Sequence, residues 1–88
     1  MACWGDISAD GIAEFCLQQG LRIPQDVALV GFDDLPSTRR PALRLTTIHA
    51  PWPEVARTAV GLLAAQCEGK EVPPRTILPV ELLVGDTT

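Results

Sequence analysis

Val27-Ala28-Leu29-Val30-Gly31-Phe32-Asp33-Asp34 is the stretch that decides the fold. Six uncharged residues run straight into two adjacent carboxylates, with Pro24 before the run and Pro36 after it. A continuous apolar run of this length reads as a strand buried on both faces. That is the pattern of a parallel sheet covered by helices. In open α/β sheets ligands gather at the carboxyl ends of the strands. Asp33 and Asp34 occupy that end, which makes them the first candidates for function.

Working outward toward the amino terminus, Ala2-Cys3-Trp4 is a short apolar run expected to close a strand. Asp6 is placed to cap a helix, since its carboxylate can accept the free amides of a first turn. Ala9, Ile12, Ala13, Cys16 and Leu17 then repeat at i, i+3, i+4, i+7 and i+8, one apolar stripe. Gly20 supplies the left-handed residue that ends such a helix, and Leu21 the apolar contact beyond it. The spacing predicts a helix over 8–19 and a strand over 27–32. Strand, helix and strand make a right-handed βαβ unit.

Toward the carboxyl terminus, 35–44 is polar, carries Pro36 and Pro41, and reads as a loop. Leu45 to His49 holds enough β-branched residues (Thr46, Thr47, Ile48) for another short strand. Pro51-Trp52-Pro53 is a stiff connector. Pro53 suits a first helical position, and Glu54 favours the positive end of the helix dipole. The apolar face of this second helix is expected to be Ala56, Ala59, Val60, Leu63 and Cys67, with Gly69 as its stop. After a loop containing Pro73-Pro74, Thr76 to Val84 reads as a last strand. It belongs near an edge, because Pro79 has no amide to donate. The expected class is α/β: a parallel sheet with flanking helices in the order β-α-β-β-α-β.

Composition narrows the function. Eighty-eight residues make one small domain at most, and 47% hydrophobic residues rule out wholesale disorder. The net charge is −4, with no cluster of Lys or Arg. Clustered cations drive most nucleic-acid binding, so this chain alone is expected to bind DNA and RNA poorly. No apolar run approaches the ~20 residues of a membrane span, and no basic-then-apolar leader opens the chain. Cys3, Cys16 and Cys67 lack metal-ligand or disulfide spacing, so neither a metal nor a cofactor is expected. The cytoplasm is the default location.

Gly20-Leu21-Arg22-Ile23-Pro24-Gln25-Asp26-Val27 leading into Ala28-Leu29-Val30-Gly31-Phe32-Asp33-Asp34 resembles the G-L-x-[VI]-P-x-D-[VI]-x-[LV]-[VI]-G-[FY]-D-[DN] segment of LacI/GalR-type transcription regulators. Leu45-Thr46-Thr47-Ile48-His49 is similar to that family's L-T-T-[VI]-x segment, and Ile77-Leu78-Pro79-Val80-Glu81-Leu82-Leu83 to its closing L-P-x-x-L-[VI] strand. The resemblance spans nearly the whole chain, with three motifs in order at family spacing. It implies a carboxyl-terminal fragment of the periplasmic-binding-protein-like (type I) effector-binding core, two α/β lobes around a cleft. Residues 1–49 would be part of the distal effector-binding lobe. Residues 50–88 would be a crossover helix and strand returning to the other lobe. Three departures stand out. Gly5 replaces the effector-binding Asn that usually precedes Asp6. Ala42, Leu43 and Arg44 intervene between Pro41 and the L-T-T segment. Gly85-Asp86 replaces the Arg common after the final strand.

On residue chemistry alone, Asp33 is either a loop-capping carboxylate or a ligand contact, since an ionised carboxylate accepts hydrogen bonds from two hydroxyls. The resemblance implies the second: an effector site at Asp33, Gly5 and Asp6, and a small sugar-like effector. Asp34 is expected to bond local amides in an Asx turn. Neighbouring strand residues point to opposite faces, so the two carboxylates would not flank one scissile bond. No nucleophile–base set is present, His49 reads as structural, and an enzyme is not expected. Trp52 either stacks on a ligand or packs a connector, the second being preferred. The polar face of the first helix is either merely solvated or, as the resemblance implies, part of a homodimer interface. That interface would comprise Asp10, Glu14 and Leu17 with Ser37, Arg40 and Pro41. Operator DNA would be a partner only through a helix-turn-helix head outside this chain. Two rival readings share the pattern: a fragment of a periplasmic sugar-binding protein of a transporter, and a stand-alone α/β interaction module.

Overall fold

The computed structural model describes residues 1–36 and 43–88. Its elements are α1 (Asp6–Gln18), β1 (Thr47–His49), α2 (Trp52–Cys67) and β2 (Glu81–Leu83). The chain forms two compact units, Met1–Ala50 with Glu81–Thr88, and Pro51–Val80. Residues 81–88 thus return to the first unit, whereas the sequence grouped 50–88 together.

α1 forms where its small apolar stripe predicts, beginning two residues early. Ala9, Ala13 and Cys16 are buried, and Leu17 at the margin of the stripe remains 47% exposed. The helix ends in a Schellman motif: Leu21 N–H donates to the Cys16 carbonyl at 2.9 Å and Gly20 N–H to the Leu17 carbonyl at 3.1 Å. Gly20 takes the positive φ of 77° that this closure needs. α2 ends the same way at Gly69, with Lys70 N–H on the Ala65 carbonyl at 3.0 Å.

The helix start differs from expectation. Gly5, not Asp6, is the cap residue, and no side chain caps α1. The Asp6 carboxylate has better partners, described below. In the second unit, no residue of α2 is buried. Its partly covered positions are Val55, Thr58, Leu62 and Ala65. Val60 and Leu63, expected on the inner face, are 66% and 60% exposed.

Segment 27–32 is the middle of the first unit but not a regular strand. Val30 makes one parallel bridge to Ala2 and one to Thr46. The first is held by Cys3 N–H on the Val30 carbonyl at 2.8 Å and Val30 N–H on the Met1 carbonyl at 2.9 Å. On the second side Gly31 N–H reaches the Thr46 carbonyl at 2.8 Å and Asp33 N–H the Ile48 carbonyl at 3.0 Å. Neither bridge extends into a ladder, for two reasons. On one side the chain bends at Trp4-Gly5 into α1. On the other, the Thr87 hydroxyl sits between the backbones, accepting from Thr46 N–H at 2.9 Å and donating to the Leu29 carbonyl at 2.7 Å. The one continuous ladder among the described residues is antiparallel, β1 with β2, in register Thr47↔Leu83, Ile48↔Leu82 and His49↔Glu81. The expected parallel order is therefore replaced by two parallel bridges and an antiparallel pair. The last strand is also shorter than 76–84, and Pro79 lies just before it with no amide to give.

The core is small: Leu29 is its largest fully buried apolar side chain, and Ala9, Ala13, Cys16 and Ala50 are the other buried apolar residues among those described. Polar threonines do much of the remaining closure. Thr46, Thr47 and Thr87 are buried and hydrogen-bonded, and the Thr46 hydroxyl accepts Gly85 N–H at 2.9 Å. At Gly85 the Arg44 carbonyl oxygen lies 2.4 Å from where a Cβ would stand, so only glycine lets the two backbones approach.

Candidate functional site

The site grows from the end of segment 27–32. Asp33 and Asp34 both have positive φ, 116° and 58°. Non-glycine residues pay for such backbone, of order 1–3 kcal/mol each, and keep it only where the surroundings hold it. Asp33 is held by its amide on the Ile48 carbonyl. Its carboxylate accepts no hydrogen bond from any described residue, so an acceptor-only group stands half-buried and open.

Gly5 lies directly against it. A Cβ built on Gly5 would stand 3.0 Å from Asp33 Oδ2 and 3.7 Å from the Phe32 carbonyl. The chain is fastened there by Asp6 N–H on the Phe32 carbonyl at 2.9 Å. The sequence-predicted neighbours Gly5 and Asp33 are therefore brought together, and glycine leaves room beside the carboxylate. Trp4, next along, is 96% exposed.

Asp6 is 4% exposed, and its carboxylate serves the fold. It accepts Leu35 N–H at 2.7 Å and the Thr47 hydroxyl at 2.5 Å, tying the turn after Asp34 and the start of β1 to the first turn of α1. Gly31 makes space for it: a Cβ there would fall 2.3 Å from Asp6 Oδ1 and 2.8 Å from Leu45 Cδ2. Spacing alone could not reveal this arrangement, because Asp6 and Thr47 are 41 residues apart.

Asp34, expected in an Asx turn, instead has the His49 imidazole as its partner, Nδ1 to Oδ2 at 2.9 Å. A concavity of about 440 Å3 opens beside this pair, lined by Asp34, Arg44, Leu45, Thr47, Leu82, Leu83, Val84 and Gly85. Asp33 is not among its walls. Arg44 spans it, with Nη2 donating to the Val84 carbonyl at 3.1 Å and its amide to Asp86 at 2.9 Å. No cluster of ligating side chains suited to a metal ion occurs among the described residues, and none of their helices is long and apolar enough to cross a membrane.

Of the predicted interface residues, Asp10, Glu14 and Leu17 lie on α1. Ser37, Arg40 and Pro41 fall outside the described residues. Trp52 opens α2 and is 47% exposed.

Comparison with known proteins places this geometry. A family model of the periplasmic binding protein-like domain matches residues 1–88. The HTH-type transcriptional repressor PurR of Escherichia coli O1:K1 is 39% identical over 75 residues, which are 85% of this chain and 22% of that repressor. The chain thus spans about a fifth of the length of such relatives. Among solved structures, a lac repressor dimer bound to operator and the anti-inducer ONPF superposes with a TM-score of 0.89 and 31% identity, over 100% of this chain and 31% of that one. A periplasmic binding protein/LacI transcriptional regulator from Alkaliphilus metalliredigens, complexed with D-xylulofuranose, gives 0.84 and 31% over 99% of this chain and 33% of its own. The regulator CcpA of Lactococcus lactis shares the fold at a TM-score of 0.89 and 20% identity, over 99% of this chain and 32% of its own. The chain belongs to the periplasmic binding protein-like domain family, in the form carried by LacI/GalR-type regulators.

Proposed function

We propose that this chain is the carboxyl-terminal segment of the effector-binding and dimerisation domain of a transcriptional regulator, and that Asp33 is its contact with a small polyhydroxylated, sugar-like effector. The observation that carries the reading is an open carboxylate on strained backbone, at the end of the central apolar segment, with Gly5 leaving room beside it. A carboxylate presented in this way accepts two hydroxyl donors at once, and charge-assisted bonds are the strong ones. Gly5 shapes the floor. Asp6 acts one step back, by fastening the loop that carries Asp33 and Asp34. A solved relative holding D-xylulofuranose supports the effector class.

In the complete domain, segment 27–32 is a central parallel strand, residues 1–49 contribute to one lobe, and 50–88 begin in the other. The exposed side of α1, with Asp10, Glu14 and Leu17, joins Ser37, Arg40 and Pro41 at a homodimer contact. Operator DNA is engaged elsewhere in the regulator, since a segment of net charge −4 offers phosphates little attraction. The chain has no catalytic role. Effector binding shifts the regulator between two states of different operator affinity.

The test is a chimera in which this chain replaces the matching segment of the lac repressor. Operator binding is followed by fluorescence anisotropy with and without a panel of monosaccharides that includes D-xylulose. At least one sugar is expected to change operator affinity, and Asp33→Asn to abolish that response while sugar-free operator binding persists. A response that survives Asp33→Asn overturns the assignment.

A further inference from the structure

Thr46, just before β1, and Thr47, its first residue, are both buried. Neighbouring residues of extended chain point to opposite faces, so the two hydroxyls serve different parts of the fold. The Thr46 hydroxyl accepts Gly85 N–H at 2.9 Å and meets the Thr88 hydroxyl at 2.7 Å, closing the carboxyl-terminal segment. The Thr47 hydroxyl donates instead to Asp6 Oδ1 at 2.5 Å.

The buried Asp6 carboxylate uses both of its oxygens. Oδ2 accepts Leu35 N–H at 2.7 Å, immediately past Asp33 and Asp34. Those two residues stand at positive φ, backbone that persists only where its neighbours hold it. One hold is the Asp33 amide on the Ile48 carbonyl at 3.0 Å, and the other is the Leu35 amide on Asp6. The terminal torsion of an aspartate is broad, so a carboxylate with one oxygen free swings readily. With Oδ1 fixed by Thr47, Oδ2 is fixed as well, and the loop carrying Asp33 is fastened on either side of the strained pair.

We propose that Thr47 is a positioning residue of the effector site: its buried hydroxyl sets the Asp6 carboxylate, which in turn holds the loop that presents Asp33. Sugar affinity therefore depends on a hydroxyl that lies inside the fold. The functional half rests on Asp33 being the effector contact, whereas the structural half requires no ligand. Amide hydrogen exchange of the ligand-free chain, followed by NMR, reads the structural half. Thr47→Val keeps the branched shape and removes the donor. Protection of the Leu35 amide should then fall roughly tenfold, the effect of loosening one hydrogen bond to a charged group. Thr47→Ser keeps the hydroxyl and should restore that protection. Thr46→Val is the control, because it breaks the Gly85 bond and should lower stability while Leu35 stays protected. Should Thr47→Val fold poorly, the wild-type chain still answers. A buried, donated hydroxyl exchanges its proton slowly, and a Thr47 hydroxyl exchanging as fast as an exposed one overturns the proposal.

In the lac repressor chimera, Thr47→Val should weaken binding of the responding sugar roughly tenfold, with Thr47→Ser close to the parent. Leu35 protection unmoved by Thr47→Val, or lowered equally by Thr46→Val, would overturn the proposal. Full sugar affinity in Thr47→Val, where Asp33→Asn abolishes it, would do the same. Loss of Leu35 protection in Thr47→Val, with a sugar response that survives Asp33→Asn, would instead strike the effector reading and leave the Thr47–Asp6–Leu35 linkage standing.

Discussion

Replacing Thr87 by valine removes one oxygen and little volume, yet it should be among the costliest single changes in the chain. The Thr87 side chain is 1% exposed and bridges two buried backbones, Thr46 at 2% and Leu29 at 0%. It accepts the Thr46 amide at 2.9 Å and donates to the Leu29 carbonyl at 2.7 Å. Valine leaves both groups without a partner, at about 1–3 kcal/mol each. The added methyl returns about 1 kcal/mol. The net loss is therefore about 1–5 kcal/mol, against a total stability of roughly 4–13 kcal/mol for a chain of this length. Thr87→Ser keeps both hydrogen bonds and loses one buried methyl, about 1 kcal/mol. Urea unfolding followed by circular dichroism, at constant slope, separates the two variants. Valine costing no more than serine would refute this expectation. That result would mean that the Leu29 and Thr46 backbones close up into a direct ladder bond once the hydroxyl is gone.

Two glycines should respond in opposite directions in the same assay. Gly31→Ala drives a methyl into the Asp6 carboxylate and Leu45, and is expected to cost about 1–3 kcal/mol. Gly11→Ala, in the exposed middle of α1 with nothing within 4 Å, should stabilise by about 0.5–1 kcal/mol. The turn at 22–26 carries a pH dependence. The Arg22 side chain, and then its amide, hold the Asp26 carboxyl below the usual carboxylate range. Its small stabilising contribution is therefore present above that range and lost as pH falls through the lowered value. A carboxyl titration by NMR should show this depression, and Arg22→Ala should reduce it. Exposed apolar side chains on α2, Val60 and Leu63, should make the isolated chain self-associate. Sedimentation is expected to show mass rising over micromolar concentrations, and Val60→Lys with Leu63→Lys to suppress the rise.

Local signals in the sequence read well where the physics is local. The stripe Ala9-Ala13-Cys16 and the glycines at 20 and 69 located both helices and their Schellman ends, because periodicity and φ preference act over a few residues. The pairing of Gly5 with Asp33 was legible only through family resemblance, since 28 residues separate them. What stayed hidden depends on long-range polar closure. Asp6 looked like a helix cap, and its true partners, Leu35 and Thr47, are set by tertiary approach. Thr87 carries no pattern that marks it as the peg between two strands. The expected inner face of α2 was misjudged for a related reason. Hydrophobic spacing says which side prefers cover, not which side receives it, and the partly covered positions are Val55, Thr58, Leu62 and Ala65.

Sugar binding by the Asp33 carboxylate is open to direct measurement. Calorimetric titration of the chimeric core, with the monosaccharide that moves operator affinity, should be compared for Asp33 and Asp33→Asn. A hydrogen bond to a charged group is worth about 1.5–3 kcal/mol, so each bond lost should weaken binding roughly 10- to 150-fold. Affinity that falls by that factor or more, with the melting temperature preserved, is the predicted result. Equal affinity in the two proteins would contradict it.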